Sequence, residues 1–190
     1  LKSLKPFPMR KKRPCVFEYI YFSRPDSLID GISAYEYRKK LGAELSKEDN
    51  IDADLVVPVP DSGNAAALGY SQKKKLKFDL GLIRNHYVGR TFIEPAQKIR
   101  SLGVKLKLNA NRSSIKNKKV ILVDDSLVRG TTSHKIVNML YDAGAKEVHL
   151  RIASPEIKYP DFYGIDMPSK KELLAANMSV DEICKYVKAK

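Results

Sequence analysis

Two adjacent carboxylates, Asp124 and Asp125, are followed by Ser126, Leu127, Val128, Arg129, Gly130, Thr131, Thr132 and Ser133. Paired acids can hold neighbouring hydroxyls of a polyol or a hard divalent cation. Small hydroxyl residues around a glycine, opening a helix, can present amides and hydroxyls to a phosphate. A sugar phosphate would fill both halves. An isolated Asp-Asp pair more often only caps a helix, so the inference rests on the whole block. A second candidate loop, Asp61, Ser62 and Gly63, follows Pro58, Val59 and Pro60. Its glycine permits close approach of the backbone to an anion.

Both loops need strands to hold them. Leu55, Val56 and Val57 form a short apolar run bounded by acids, as expected of a buried parallel strand, and a helix should start near Asn64. Residues 120–123 repeat the pattern before a helix whose Ile136, Met139, Leu140 and Ala143 share one face, with Gly144 placed as its left-handed terminator. Residues 148–153 read as another strand, and residues 16–22 are β-branched and aromatic enough for one more. Ser33 with Glu36, and Ser179 with Glu182, have capping-box spacing and predict helices running to about Leu45 and over residues 183–187. Strands alternating with helices predict an α/β fold, a parallel sheet flanked by helices, in which ligands bind at the carboxyl ends of strands. Both candidate loops lie there. Residues 84–117, with Gly89, Gly103 and scattered cations, show no firm period and suit a lid.

The 190 residues, 43% hydrophobic and 30% charged, suffice for one ordinary core and exclude a disordered or collagen-like chain. Residues 1–14 read as an extended basic lead-in, leaving 15–190 as the domain. Thirty-five Lys and Arg against 22 Asp and Glu give a formal net charge of +13, which favours anionic partners. No apolar run approaches the roughly 18 residues that span a bilayer, and no secretory leader pattern is present. Two cysteines, Cys15 and Cys184, form neither a metal spacing nor a disulfide framework. The expectation is cytoplasmic, without membrane partners. His86, His134 and His149 have no triad or metal spacing and are expected to be structural or on the surface.

The block from Asp124 through Thr132 resembles the phosphoribosylpyrophosphate-binding motif of type I phosphoribosyltransferases. The segments 18–27 (EYIYFSRPDS), 58–63 (PVPDSG), 87–93 (YVGRTFI), 107–109 (KLN) and 163–169 (YGIDMPS) extend the match. Over residues 14–187 the sequence is similar to the glutamine phosphoribosylpyrophosphate amidotransferase family. The resemblance implies a type I phosphoribosyltransferase fold with a flexible lid loop. The implied reaction is replacement of the pyrophosphate of phosphoribosylpyrophosphate by ammonia, giving phosphoribosylamine, the first step of purine synthesis.

Carried over residue by residue, the resemblance assigns Asp124 and Asp125 to the ribose hydroxyls and Mg2+, and Ser126, Leu127, Val128, Arg129, Gly130, Thr131 and Thr132 to the 5-phosphate. Asp61, Ser62 and Gly63 take the pyrophosphate, with Ser62 linked to the metal. Arg90 and Lys107 become the catalytic cations of the lid. Some family members bind an iron-sulfur cluster through four cysteines; Cys15 matches the first position, but Asp161 stands at the second, so no cluster is expected and Cys15 is expected to be a buried thiol. The family's glutaminase domain precedes the matched region, and the sequence is expected to lack it. A homo-oligomer is expected, with no nucleic-acid partner. Two other readings remain at this point: a phosphoribosylpyrophosphate-sensing regulator that binds nucleic acid, which would need a helix-turn-helix or a continuous basic face, and a domain that keeps the fold without turnover.

Overall fold

A computed structural model describes residues 2, 4, 6–85, 87, 107–161 and 169–190. In chain order its strands are β1 (Leu28–Ile29), β2 (Ile32–Ser33), β3 (Leu55–Pro58), β4 (Lys77–Phe78), β5 (Leu82–Arg84), β6 (Leu108–Ala110), β7 (Lys119–Asp124) and β8 (Glu147–Ile152). The helices are α1 (Ala34–Leu45), α2 (Asn64–Lys74), α3 (Arg112–Ile115), α4 (Thr131–Asp142), α5 (Leu174–Asn177) and α6 (Val180–Val187).

A parallel sheet of order β4-β3-β7-β8 forms the centre. The interior of each middle strand, 55–57 and 120–123, is apolar because alternate side chains enter opposite cores. Leu55, Val57, Val120 and Leu122 face α4 through Ile136, Val137 and Leu140. Val56, Ile121 and Val123 face the α1–α2 layer through Leu45, Ala66, Ala67 and Tyr70. The α/β expectation of a parallel sheet flanked by helices is met. Those two helices touch through glycine: a β-carbon on Gly42 would lie 1.8 Å from the Ala66 carbonyl oxygen, and one on Gly69 would lie 1.9 Å from that of Lys39.

Local signals set the helix ends. Ser33 accepts from the Glu36 amide at 3.3 Å and starts α1, while the Glu36 carboxylate turns to Lys39 instead of closing the box. Ser179 and Glu182 form the full reciprocal box at α6. Gly144, at φ +95°, follows the end of α4 as expected.

Three expectations fail. Residues 16–22 are helical, ending in a π-helical turn over Glu18–Phe22, because burying Phe17, Tyr19 and Ile20 against the protein outweighs the strand preference of these residue types. Cys15 is exposed, since it precedes that turn and lies outside its apolar contacts. The stretch 84–117 is not structureless at its ends: β5 and β6 pair antiparallel, and α3 follows, held by the buried Leu82, Leu108 and Ile115. Elements this short show no period in a sequence. The lid expectation itself falls on residues 86 and 88–106, outside the described residues.

One half-buried ionic cluster ties the sheet to the α1–α2 layer. Tyr70 donates to Asp49 at 3.0 Å, and the Arg151 guanidinium donates to the other carboxylate oxygen. Burial opposes the Asp49 charge, but Arg151, the Ile51 amide and Tyr70 together hold its carboxyl below the usual range. Burial and the Asp49 bond push Tyr70 up to about 12. A carboxyl depressed in the folded state stabilises above its unfolded value and loses that contribution as pH falls through it. Asp49→Asn should therefore lower unfolding stability by about 2 kcal/mol near neutrality by leaving the half-buried Arg151 without its carboxylate. The deficit should shrink as pH drops below about 4. Urea titrations across pH check this, and equal losses at pH 7 and pH 3 would contradict it.

Candidate active site

The parallel register sets Pro58 beside Val123 at the carboxyl ends of β3 and β7, and the Val59 amide donates to the Val123 carbonyl at 2.9 Å. The loop 61–63 then folds back so tightly that a β-carbon on Gly63 would sit 2.5 Å from the same Val123 oxygen. Only glycine allows this approach. The two loops named from the sequence therefore leave adjacent strands and touch at their roots.

Asp124, the last residue of β7, and Asp125 are 7% and 6% exposed. The Asp125 amide donates to Asp124 Oδ1 at 2.9 Å, and the Ser126 hydroxyl donates to Asp125 Oδ2 at 2.7 Å. Burial first, then the neighbouring Asp125 charge, push the Asp124 carboxyl well above the ordinary carboxylate range. Two buried acids side by side are costly unless a cation or donor joins them. That makes the pair suited to a hard cation or to sugar hydroxyls.

The remaining positions follow. Leu127, Val128 and Arg129 cross to Gly130, which adopts φ +67° and begins α4 without any side-chain cap. An α-helix leaves the amides of its first turn without intrahelical partners. Here those amides belong to Thr131, Thr132 and Ser133 and carry the positive end of a 12-residue helix. Arg129 is ion-paired with Glu172. Asp61, half exposed, is ion-paired with Arg84 of β5. Lys107 lies at the foot of β6, where its carbonyl accepts from Asn85 at 2.8 Å, one register from the Arg84–Leu108 pair. The ladder thus sets Lys107 next to Leu108, the partner of Arg84, whose guanidinium pairs with Asp61. Arg90 is outside the described residues. Of the histidines, His134 Nδ1 lies 2.7 Å from the Tyr186 carbonyl and His149 Nε2 lies 3.2 Å from Glu147, while His86 is outside the described residues.

Two charged neighbours of the candidate site are not picked out by the sequence. Arg84 is one. The other is Arg38, 5% exposed, which donates to the carbonyls of Tyr19 and Ser23 at 2.8 Å each and so holds the π-helical turn. Burial draws its guanidinium below its usual value, and the Asp125 charge partly offsets that. A signal existed, because Arg38 occupies the helical row of Ala34, Gly42 and Leu45, which are all buried.

The donor set fits magnesium. Among the described residues no group of three or more His, Cys, Asp or Glu could enclose a metal. Magnesium commonly uses one or two carboxylates and leaves its other positions to water and ligand phosphates. Asp124 and Asp125, with Ser62 in the facing loop, would be its protein donors.

Strand-end acids, a glycine turn and an open helix terminus form an arrangement with the donors and acceptors that a phosphorylated sugar requires. The chain belongs to the phosphoribosyl transferase domain family, which matches residues 34–154. It is 58% identical to an amidophosphoribosyltransferase of Rhizobium etli over 190 residues, covering 100% of the chain and 38% of that relative. It is also 57% identical to an amidophosphoribosyltransferase of Methanocaldococcus jannaschii over 173 residues, covering 91% of the chain and 37% of that relative. A chloroplastic amidophosphoribosyltransferase 2 of Arabidopsis thaliana is 56% identical over 98% of the chain and 33% of its own length. Among solved structures, the glutamine phosphoribosylpyrophosphate amidotransferase from B. subtilis complexed with ADP and GMP superposes with a TM-score of 0.83 at 53% identity, over 93% of the chain and 39% of that structure. The chain spans less than two fifths of the length of these relatives.

The crowded carboxylates generate a prediction. Asp124→Asn keeps an acceptor for the Asp125 amide but removes one buried charge, so it should raise the melting temperature of the ligand-free protein while weakening magnesium-dependent ligand binding. Differential scanning fluorimetry with and without ligand checks both. A lower melting temperature in the ligand-free variant would contradict the account of the pair.

Proposed function

We propose that the domain transfers the phosphoribosyl group of phosphoribosylpyrophosphate to ammonia, producing phosphoribosylamine and pyrophosphate. The observation that carries this reading is the close approach of Gly63 to the Val123 carbonyl, which sets the loop 61–63 against the end of β7, where the loop 124–132 begins. A ligand with a phosphate at one end, a diol in the middle and a pyrophosphate at the other fits that arrangement. The names of the relatives, amidophosphoribosyltransferases, support the choice of reaction.

In this reading Asp124 and Asp125 hold the ribose hydroxyls, and the turn from Ser126 to Thr132 receives the 5-phosphate on its amides and hydroxyls. Asp61, Ser62 and Gly63 cradle the pyrophosphate, with Arg84 adding positive charge from β5. Magnesium, when bound, neutralises the leaving group. The departing pyrophosphate leaves cationic character on the anomeric carbon, which the nearby carboxylates favour. Holding the ribose by both its hydroxyls and its phosphate keeps that carbon in line with the incoming nitrogen. Arg90 and Lys107 are proposed to close over the leaving group and exclude water.

The remainder of the full-length relatives is proposed to supply ammonia from glutamine. A homo-oligomer in a reducing cytoplasm is the proposed setting; among the described residues no helix is long and apolar enough to cross a membrane.

The test is pyrophosphate release by this chain with phosphoribosylpyrophosphate and ammonium chloride. Release should require magnesium. Its rate should climb about tenfold per pH unit from about pH 7 towards 9, because only unprotonated ammonia attacks. No release at pH 9, or release indifferent to ammonia, would contradict the proposal.

A further inference from the structure

The turn that would receive the 5-phosphate is tied at its start by the Ser126 hydroxyl on Asp125, but its glycine has no side chain to fix it. Gly130 begins α4 in the left-handed conformation, no side chain caps the helix, and glycine is the residue with the greatest backbone freedom. Support comes instead from the C-terminal segment. A β-carbon on Gly130 would meet Leu174 Cδ1 at 2.3 Å and Tyr186 Cε1 at 3.1 Å, so these two side chains close directly on the turn. The Leu174 amide donates to the Val128 carbonyl at 3.0 Å, and Glu172 pairs with Arg129. One turn into α4, His134 Nδ1 meets the Tyr186 carbonyl at 2.7 Å, and the two rings lie 5.9 Å apart. Leu173, fully buried, packs with Phe17 and Val128. Residues 128, 129, 130 and 134 are each gripped by a residue between 172 and 186, whereas the loop 61–63 draws its support from β3, β5 and β7.

We propose that Leu174 and Tyr186 are positioning residues for the 5-phosphate subsite, holding Gly130 so that the first amides of α4 converge on one anion. The inference rests on the phosphoribosyl reading of the site. Neither side chain touches the reacting atoms. They act through the turn, by removing the alternatives that an uncapped glycine would otherwise explore. The arrangement also separates the two anion subsites mechanically: loosening the strap should disturb one and spare the other.

That separation supplies the test. Calorimetry would measure ribose 5-phosphate, and separately magnesium pyrophosphate, binding to the wild-type chain and to Leu174→Ala, Leu174→Met and Tyr186→Ala. Leu174 is half-buried and Tyr186 is 39% exposed, so neither truncation removes a core residue. Both truncations should weaken ribose 5-phosphate by about tenfold or more. Magnesium pyrophosphate should stay within about twofold, and Leu174→Met, which conserves volume, should remain near wild type. Unchanged ribose 5-phosphate affinity in both truncations, or equal loss of both ligands, would overturn the positioning role. Failure of the wild-type chain to bind ribose 5-phosphate while it binds pyrophosphate would overturn the phosphate subsite, and failure to bind either would overturn the phosphoribosyl reading itself.

Discussion

The strand pair β3–β7 sets the terms for the rest of the domain. Parallel pairing in the register Val57–Leu122 and Pro58–Val123 forces two loops of different chemistry to emerge side by side. Everything around that pair is arranged to bury it on both faces, which is why residues 55–57 and 120–123 are all apolar. Polarity then appears abruptly, with Asp61 and Ser62 after one strand and Asp124 and Asp125 at the end of the other. The site is thus a consequence of sheet packing. A strand slipped by one residue would exchange its two core faces and carry its loop out of line with the neighbour.

Buried acids are the unfavourable part of this design. Asp124 and Asp125 sit beneath the surface with like charges adjacent, and the Asp124 carboxyl is pushed upward accordingly. Stability is recovered elsewhere, in the apolar layers, the Gly42 and Gly69 helix contact, and the Asp49, Tyr70 and Arg151 cluster. Arg38 joins the two regimes. It fixes the aromatic turn through two carbonyls and places a buried positive charge whose field reaches Asp125. A site that is strained before its ligand arrives gains most when cationic and hydroxyl partners fill it.

Much of this was legible in the residues. The runs at 55–57 and 120–123 were short, apolar and flanked by turn chemistry, so the strands and their carboxyl-end loops could be located before any coordinates. Capping residues Ser33 and Ser179 fixed helix starts because capping depends on nearest neighbours alone. The aromatic run at 16–22 misled because its conformation is imposed by partners distant in sequence, Arg38 of α1 on the Tyr19 and Ser23 carbonyls and Leu173 against Phe17, and no local pattern encodes them. The ladder of β5 and β6 was equally hidden, since three-residue strands separated by a long connection leave no period. Arg84 was passed over for the same reason: only the ladder brings it to Asp61. The roles of Arg90 and Lys107 came from resemblance, and spacing by itself would have read them as solvated cations.

The central claim is that one ligand bridges the two strand-end loops. Backbone amide resonances followed by NMR during titration with phosphoribosylpyrophosphate and magnesium test it most directly. The account predicts that amides of residues 61–64 and 125–133 shift together with a single binding constant. Shifts confined to one loop, or different saturation at the two, would contradict it.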